Sequence, residues 1–149
     1  MNITFKVKNV AKVMNQLGRL SKDMEQPFRE VVQGGAQLIR GDAIKDIQTG
    51  SKTGKIYEKY NPRRTHRASA PGESPASDTG NLVRNIRVKQ NTPDEVFVES
   101  NAPYSSYLEF GTSKMLPRPF LFPAFERNRD KITKAVFNRI LRAIGDLTK

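Results

Sequence analysis

The sequence predicts an α+β fold: N-terminal helices, a small antiparallel sheet with a hairpin at about residues 86–99, a long basic loop, and a long C-terminal helix packed across the sheet. Three observations carry this. Short stretches alternate apolar and polar residues with the period of two that marks a half-buried strand. Longer stretches place apolar residues three and four apart, as one face of a helix requires. Between them lies a segment rich in Gly, Pro and Ser that keeps neither period. At 149 residues the chain is expected to be one domain. A chain of that size can bury roughly 70% of its unfolded surface, enough for one core.

The elements follow in order. Met1, Ile3, Phe5 and Val7 alternate with Asn2, Thr4, Lys6 and Lys8, predicting a short N-terminal strand. Val10, Val13, Met14, Leu17 and Met24 then recur at helical spacing as far as Pro27, which either starts a new helix or kinks a continuing one. Phe28, Val32, Ala36, Ile39, Ala43 and Ile47 form a single row, flanked by Val31 and Leu38, in a helix expected to end near Gly50. Gly34 and Gly35 inside it cost roughly 2 kcal/mol of helix propensity relative to Ala. Either another backbone packs closely there or the helix breaks, and close packing is the preferred reading.

Residues 51–80 are read as a long, flexible loop with a weak strand around Lys55 to Tyr60. Asp78 or Thr79 is placed to cap a short helical turn carrying Leu82 and Val83 inward. Ile86 and Val88, alternating with Arg87 and Lys89, face Val96 and Val98 across Asn91-Thr92-Pro93-Asp94, an antiparallel hairpin with opposite charges on its outer face. Pro103 starts another turn in which Tyr104, Tyr107 and Leu108 share a face, and Gly111 closes it. The last helix opens near Pro119 or Pro123. Its row is Ile132, Val136, Ile140 and Ile144, widened by Phe137, Leu141 and Leu147. From about residue 120 to 146 it would measure roughly 40 Å, long enough for part of its apolar stripe to reach a neighbouring subunit.

Composition narrows the chemistry. The chain holds 26 Lys and Arg against 15 Asp and Glu, a formal charge of +11. It has no Cys, which excludes disulfide scaffolds, thiolate zinc sites and Cys nucleophiles. No apolar run is long enough for a transmembrane span, and the alternating N-terminus does not resemble a secretory signal. His66, the one imidazole, sits among Arg63, Arg64 and Arg67, which disfavour its protonated form. A general acid or base there would need a positioned partner that the sequence does not display. The competing reading is a loop histidine that packs or binds an anion.

Asp42 and Asp46 lie one helical turn apart, yet without a neighbouring His they read as a solvated face rather than a metal site. The glycines at 50, 54, 72 and 80 match no nucleotide-binding spacing, and no Gly-x-Ser-x-Gly elbow is present. No enzyme, cofactor or metal is therefore expected. Residues 51–68 concentrate Lys52, Lys55, Lys59, Arg63, Arg64 and Arg67 against Glu58, with Tyr57 and Tyr60 interleaved, suited to phosphates and bases without sequence readout. A non-specific nucleic-acid-binding protein is thus the alternative to a structural role, and a small basic nuclease using His66 is a further one.

Two segments carry a family resemblance. The first runs from His66-Arg67-Ala68-Ser69-Ala70-Pro71-Gly72-Glu73-Ser74-Pro75 to Asp78-Thr79-Gly80-Asn81-Leu82 and Arg84-Asn85-Ile86. The second is Ala102-Pro103-Tyr104-Ser105-Ser106-Tyr107-Leu108-Glu109-Phe110-Gly111-Thr112-Ser113-Lys114-Met115, then Arg118-Pro119-Phe120-Leu121 and Pro123-Ala124. Together, over about residues 66 to 125, they resemble the neck and tail-completion (head-tail joining) proteins of tailed double-stranded DNA bacteriophages and prophages.

The resemblance implies a single neck domain over residues 1–149 and a non-enzymatic virion protein, made in the bacterial cytoplasm. It would be monomeric alone and a ring, expected to be a hexamer, around the DNA path on assembly. Its partners would be copies of itself, neighbouring neck and tail proteins and, non-specifically, packaged DNA, with no membrane. It assigns Tyr104, Tyr107, Glu109, Phe110, Gly111, Thr112, Arg118, Pro119 and Phe120 to the motif and assembly interface. Lys59, Arg63, Arg64 and Arg67 are assigned to DNA or an acidic partner. Large aromatics with polar handles suit an interface, and the same motif can also fix the junction between sheet and last helix. Glu109 and Arg118 are expected to clamp that turn as an ion pair.

Overall fold

The computed structural model describes the backbone of residues 2–6, 20–92 and 95–147, and the side chains of 26–92, 95–142 and 145. The chain is α+β, as predicted. Strand β1 (Asn2–Lys6) is followed by helix α1 (Leu20–Thr49), strands β2 (Ile56–Tyr60) and β3 (Arg63–Arg67), and the short helix α2 (Asn81–Arg84). Strands β4 (Ile86–Thr92) and β5 (Glu95–Ser100), the short helix α3 (Ser105–Phe110) and helix α4 (Leu121–Leu147) complete it. The helical reading of Val10 to Leu17 lies outside the described residues. From Leu20 one helix runs through Pro27 without a break.

The main sheet has the order β1-β5-β4, antiparallel throughout, so β5 is central. Its register pairs Ile3 with Val98 and Val88 with Val98, and it sets Arg87 opposite Glu99 as the hairpin reading expects. Along β5, Val96, Val98 and Ser100 are buried and Glu95, Phe97 and Glu99 half-buried, a period of two that turns one face to the helices. The entire predicted α1 row, Phe28, Val32, Ala36, Ile39, Ala43 and Ile47, is buried, and it forms one core with Ile86, Val96, Val98, Phe120, Leu121 and Val136. Leu38, expected to flank that row, is exposed instead. Arg40 ties α1 to the sheet by donating from Nε to the Ile86 carbonyl at 3.0 Å.

Helices α1 and α4 pack on each other along their length. A Cβ at Gly35 would sit 2.8 Å from Ile132, whereas one at Gly34 would meet nothing within 4 Å. The helix does not break, but the close neighbour of Gly35 is the Ile132 side chain and not the expected backbone, and Gly34 has no close neighbour at all. Farther along, Asn128, 2% exposed, donates to Asp42 at 2.7 Å and to the Ala124 carbonyl, and Arg127 pairs with Asp46. The two acids read as a solvated face thus stitch the helices together. Of the predicted α4 stripe, Val136 is buried and Ile132 and Ile140 pack at the core edge, but Phe137 and Leu141 face outward.

The segment 51–80 departs most from expectation. The reading of a weak strand near Lys55 to Tyr60 is correct, but this strand is half of a two-stranded ribbon, β2 and β3, with Tyr57 opposite His66 and Lys59 opposite Arg64. Sequence periodicity missed β3 because Arg63-Arg64-Thr65-His66-Arg67 offers no apolar alternation, and the ribbon has no buried face to require one.

Overpacking a helix interface costs about 1–3 kcal/mol, whereas replacing an open helical glycine by alanine gains up to ~1 kcal/mol. Gly35→Leu should accordingly lower the thermal midpoint and Gly34→Ala raise it. Equal responses in a melting experiment would show that the α1–α4 contact is misplaced.

Candidate functional site

The site is the region where the two motif segments meet. Arg118 donates from Nε to the Ser69 carbonyl at 3.1 Å, and the Gly72 N–H donates to the Pro117 carbonyl at 2.9 Å. The Asn81 amide donates to the Tyr104 hydroxyl at 3.2 Å. Residues 23 to 49 positions apart in sequence thus form the two walls of one cleft of about 340 Å³, lined among others by His66, Ser69, Asp78, Tyr104, Leu108 and Arg118.

Next to the cleft residue Leu108, Glu109 fixes the start of α4. Helix α4 begins without a Ser, Thr, Asp or Asn before it, so its first N–H groups lack a local acceptor. The Glu109 carboxylate supplies one from α3: Oε2 accepts from Phe120 at 3.0 Å and Leu121 at 3.1 Å, and Oε1 from Phe122 at 2.8 Å. The next residue, Pro123, has no N–H. Every donor of the opening turn is therefore accounted for, and a negative charge sits at the positive end of the helix dipole. Glu109 is only 4% exposed, and Phe120 beside it is fully buried.

The expected Glu109–Arg118 pair does not form. Arg118 instead joins the two walls, its N–H donating to the Leu108 carbonyl at 2.7 Å and its guanidinium to Ser69. Backbone donors of a helix start outcompete a guanidinium for this buried carboxylate because they are fixed in place and have no water to turn to. Gly111 has the role predicted for it. With φ of 76° it lies in the left-handed region, and a Cβ there would be 2.7 Å from the Met115 carbonyl oxygen. Thr112 closes the following turn by exchanging backbone bonds with Met115, and Pro119 leads into the helix at its half-buried start.

The clamp leaves large apolar side chains outside. Phe110 is 70% exposed, Leu116 65%, Tyr107 57% and Phe122 56%. Tyr104, at the head of α3, is less exposed because its ring lines the cleft. Leu116 and Phe122 had no place in the sequence reading. The missing cap before Leu121 was the available signal: it implies an acceptor reaching in from elsewhere, and hence a folded-back segment whose remaining side chains point out.

The four assigned cations divide between two faces of the ribbon. Lys59 and Arg64 share one face and converge on Asp78, Arg64 Nη2 reaching Oδ1 at 2.7 Å and Lys59 bonding Oδ2. His66 lies on the same face, its Nδ1 3.9 Å from Asp78 Oδ1. Arg63 and Arg67 occupy the opposite face and are exposed. Asp78 is therefore not the cap of α2. Gly80 takes the cap position at φ 74° and Asp78 is occupied by the ribbon, while Thr79, the other candidate, accepts the Asn81 N–H on its hydroxyl at 3.4 Å. The hydrogen bond from Lys59, with Arg64 and His66 nearby, holds the Asp78 carboxyl below the usual aspartate range.

Glu73 anchors the base of the ribbon. It accepts from the Thr53 hydroxyl at 2.6 Å, the Thr53 N–H at 3.0 Å and the Ala70 N–H at 2.8 Å, bonds that bring its pKa down to about 2. Lys52 crosses beside it to the Asp46 and Ser74 carbonyls, and burial pushes its ammonium pKa down. Among the described residues no three His, Asp or Glu side chains are grouped to hold a metal, and no helix is long and apolar enough to cross a membrane.

The family comparison covers the site as far as Gly111. The chain matches the model of the HK97-gp10-like family, described as "Bacteriophage HK97-gp10, putative tail-component", over residues 11–111. That span covers about two thirds of the chain and includes α1, the ribbon, α2, the β4–β5 hairpin and α3 up to Gly111. The class is that of bacteriophage tail components, and the chain belongs to the HK97-gp10-like family. No curated protein and no solved structure matches it closely enough to count as similar.

Removing Glu109 leaves three donors of the helix start without an acceptor, and each buried donor so orphaned costs about 1–3 kcal/mol. Glu109→Ala should lose about 3 kcal/mol or more in urea unfolding, and Glu109→Gln, which keeps one acceptor oxygen, should lose less. Equal stability of Glu109→Ala and wild type would refute the clamp. Because the Glu73 pKa is depressed from 4.5 to about 2, its contribution is intact above pH 4.5 and is lost as pH falls toward 2. Hydrogen-exchange protection of the Thr53 and Ala70 amides should fade across that window, and Glu73→Gln should remove the pH dependence.

Proposed function

We propose that this protein is a structural virion component that completes the tail and joins it to the head. It assembles as a ring of identical subunits around the DNA path, without catalysing a reaction. The observation that carries the reading is the exposed apolar group Tyr107, Phe110, Leu116 and Phe122, displayed on a segment that Glu109 and Gly111 hold in one shape. Large apolar side chains left exposed on one short, fixed segment suit a surface that meets other proteins. A site held rigid before binding also loses little conformational entropy on assembly. Family membership supports the tail, and a ring requires head-to-tail contacts between unlike surfaces of each copy. The outward row of Phe137 and Leu141 on α4, well separated in sequence from Phe110, offers such a second surface.

A role close to DNA is supported by the exposed Arg63 and Arg67 and by an excess of cations that reads no base. The neighbouring neck and tail proteins would supply the remaining contacts, and the mature protein would reside in the virion.

Deleting the gene from a phage or an inducible prophage should give filled heads and separate tails by electron microscopy. A chain carrying Phe110→Ser and Leu116→Ser should fail to restore joined particles while melting like wild type, since neither side chain is in the core. Normally joined virions from the deletion would overturn the reading.

A further inference from the structure

The ribbon spends its charge in two ways. On the inner face Lys59 and Arg64 stand directly opposite each other, and both bind Asp78; Arg64 Nη1 also donates to the Asp78 carbonyl at 3.3 Å. On the outer face Ile56, Glu58, Tyr60, Arg63, Thr65 and Arg67 are all exposed. The one acid on that face, Glu58, accepts the Tyr60 hydroxyl at 3.1 Å, and among the described residues Arg63 and Arg67 make no ion pair. The two arginines are four residues apart on one strand, about 13 Å at ~3.3 Å per residue. That matches the ~12 Å width of a DNA major groove, which admits a two-stranded ribbon.

We propose that the outer face of the β2–β3 ribbon docks on the phosphate rows of duplex DNA through Arg63 and Arg67, and that Asp78 acts as an internal phosphate surrogate keeping Lys59 and Arg64 out of that contact. The proposal rests on the DNA-path reading and adds a division of labour to it. The tether holds two permanent cations, with His66 beside them, by a single carboxylate. Positive charge is thus left over on the inner face. Duplex DNA, with one negative charge per ~1.7 Å of axis, draws on these cations only where the carboxylate does not hold them. Removing Asp78 makes them available from the start.

The test is binding of the full chain to a short fluorescent DNA duplex of mixed sequence, followed by anisotropy over a range of salt. Each phosphate contact contributes about 0.9 to the slope of log affinity against log salt. Arg63→Gln with Arg67→Gln should therefore reduce the slope by about 2, and Lys59→Gln with Arg64→Gln should leave it near wild type. Asp78→Asn should steepen the slope by up to about 2 and tighten binding about tenfold at low salt. An Asp78→Asn chain that melts normally and binds no more tightly would overturn the surrogate role. If that variant does not fold, the Lys59/Arg64 pair decides: a loss as large as that of the Arg63/Arg67 pair overturns the division of faces. No duplex binding by any variant, or polyglutamate binding in its place, overturns the proposal while leaving tail assembly to be judged from the particles.

Discussion

A single buried carboxylate organises the second half of the molecule. Glu109 is the acceptor for the opening N–H groups of α4, and no side chain local to that helix can replace it. Fixing the helix start fixes the line along which α4 leaves, and hence the position at which Ile132 meets Gly35 and Asn128 meets Asp42 on α1. The constraint also works backward along the chain. Holding residues 109 and 120–122 together forces the intervening ten residues into a tight loop, which Gly111 makes possible by its left-handed backbone. That loop carries Leu116 outward and Arg118 inward to Ser69, so one hydrogen-bonded cluster produces both the cohesion of the cleft and the display of apolar side chains on the same segment.

Polar groups are used throughout as fasteners. Asp46, Asp78, Glu73 and Glu109 each bind donors from a different element or loop, and together they join α1 to α4, ribbon to cleft, residues 53 to 70, and α3 to α4. Acids are the minority charge in a chain of +11, and these four are occupied by internal contacts. The cations left over are displayed on the surface, among them Arg63 and Arg67. The net charge is therefore a statement about the outside of the molecule, consistent with a surface that works among polyanions or acidic neighbours.

Much of the fold is legible from pattern. The α1 row reads correctly residue by residue because a helix buried on one side must repeat its apolar positions every three to four residues. The β4–β5 hairpin reads equally well, since β5 turns one face to the core and alternates accordingly. The ribbon was half legible. Its first strand contains Ile56, Tyr57 and Tyr60, which favour extended structure, but its second is held by cross-strand pairing and by Asp78, neither of which leaves a period in sequence. The outward turn of Phe137 and Leu141 was illegible for a related reason: periodicity shows that a helix has an apolar side, and only the width of the partner decides how much of it is covered.

For the site, the sequence alone determined which residues matter more than what they do. It marked Tyr104 to Phe120 as a unit, required glycine at position 111, concentrated cations in 51–68 and pointed to a phage neck or tail family. These properties belong to local conformation and residue type, which a linear pattern preserves. The tertiary structure decided the pairings: Glu109 with a helix start in place of Arg118, Arg118 with Ser69, and Asp78 with the ribbon in place of α2. A carboxylate takes whichever donors the fold has stripped of water and fixed within reach. That choice depends on how the fold brings together groups 11 to 49 residues apart, which no local spacing encodes.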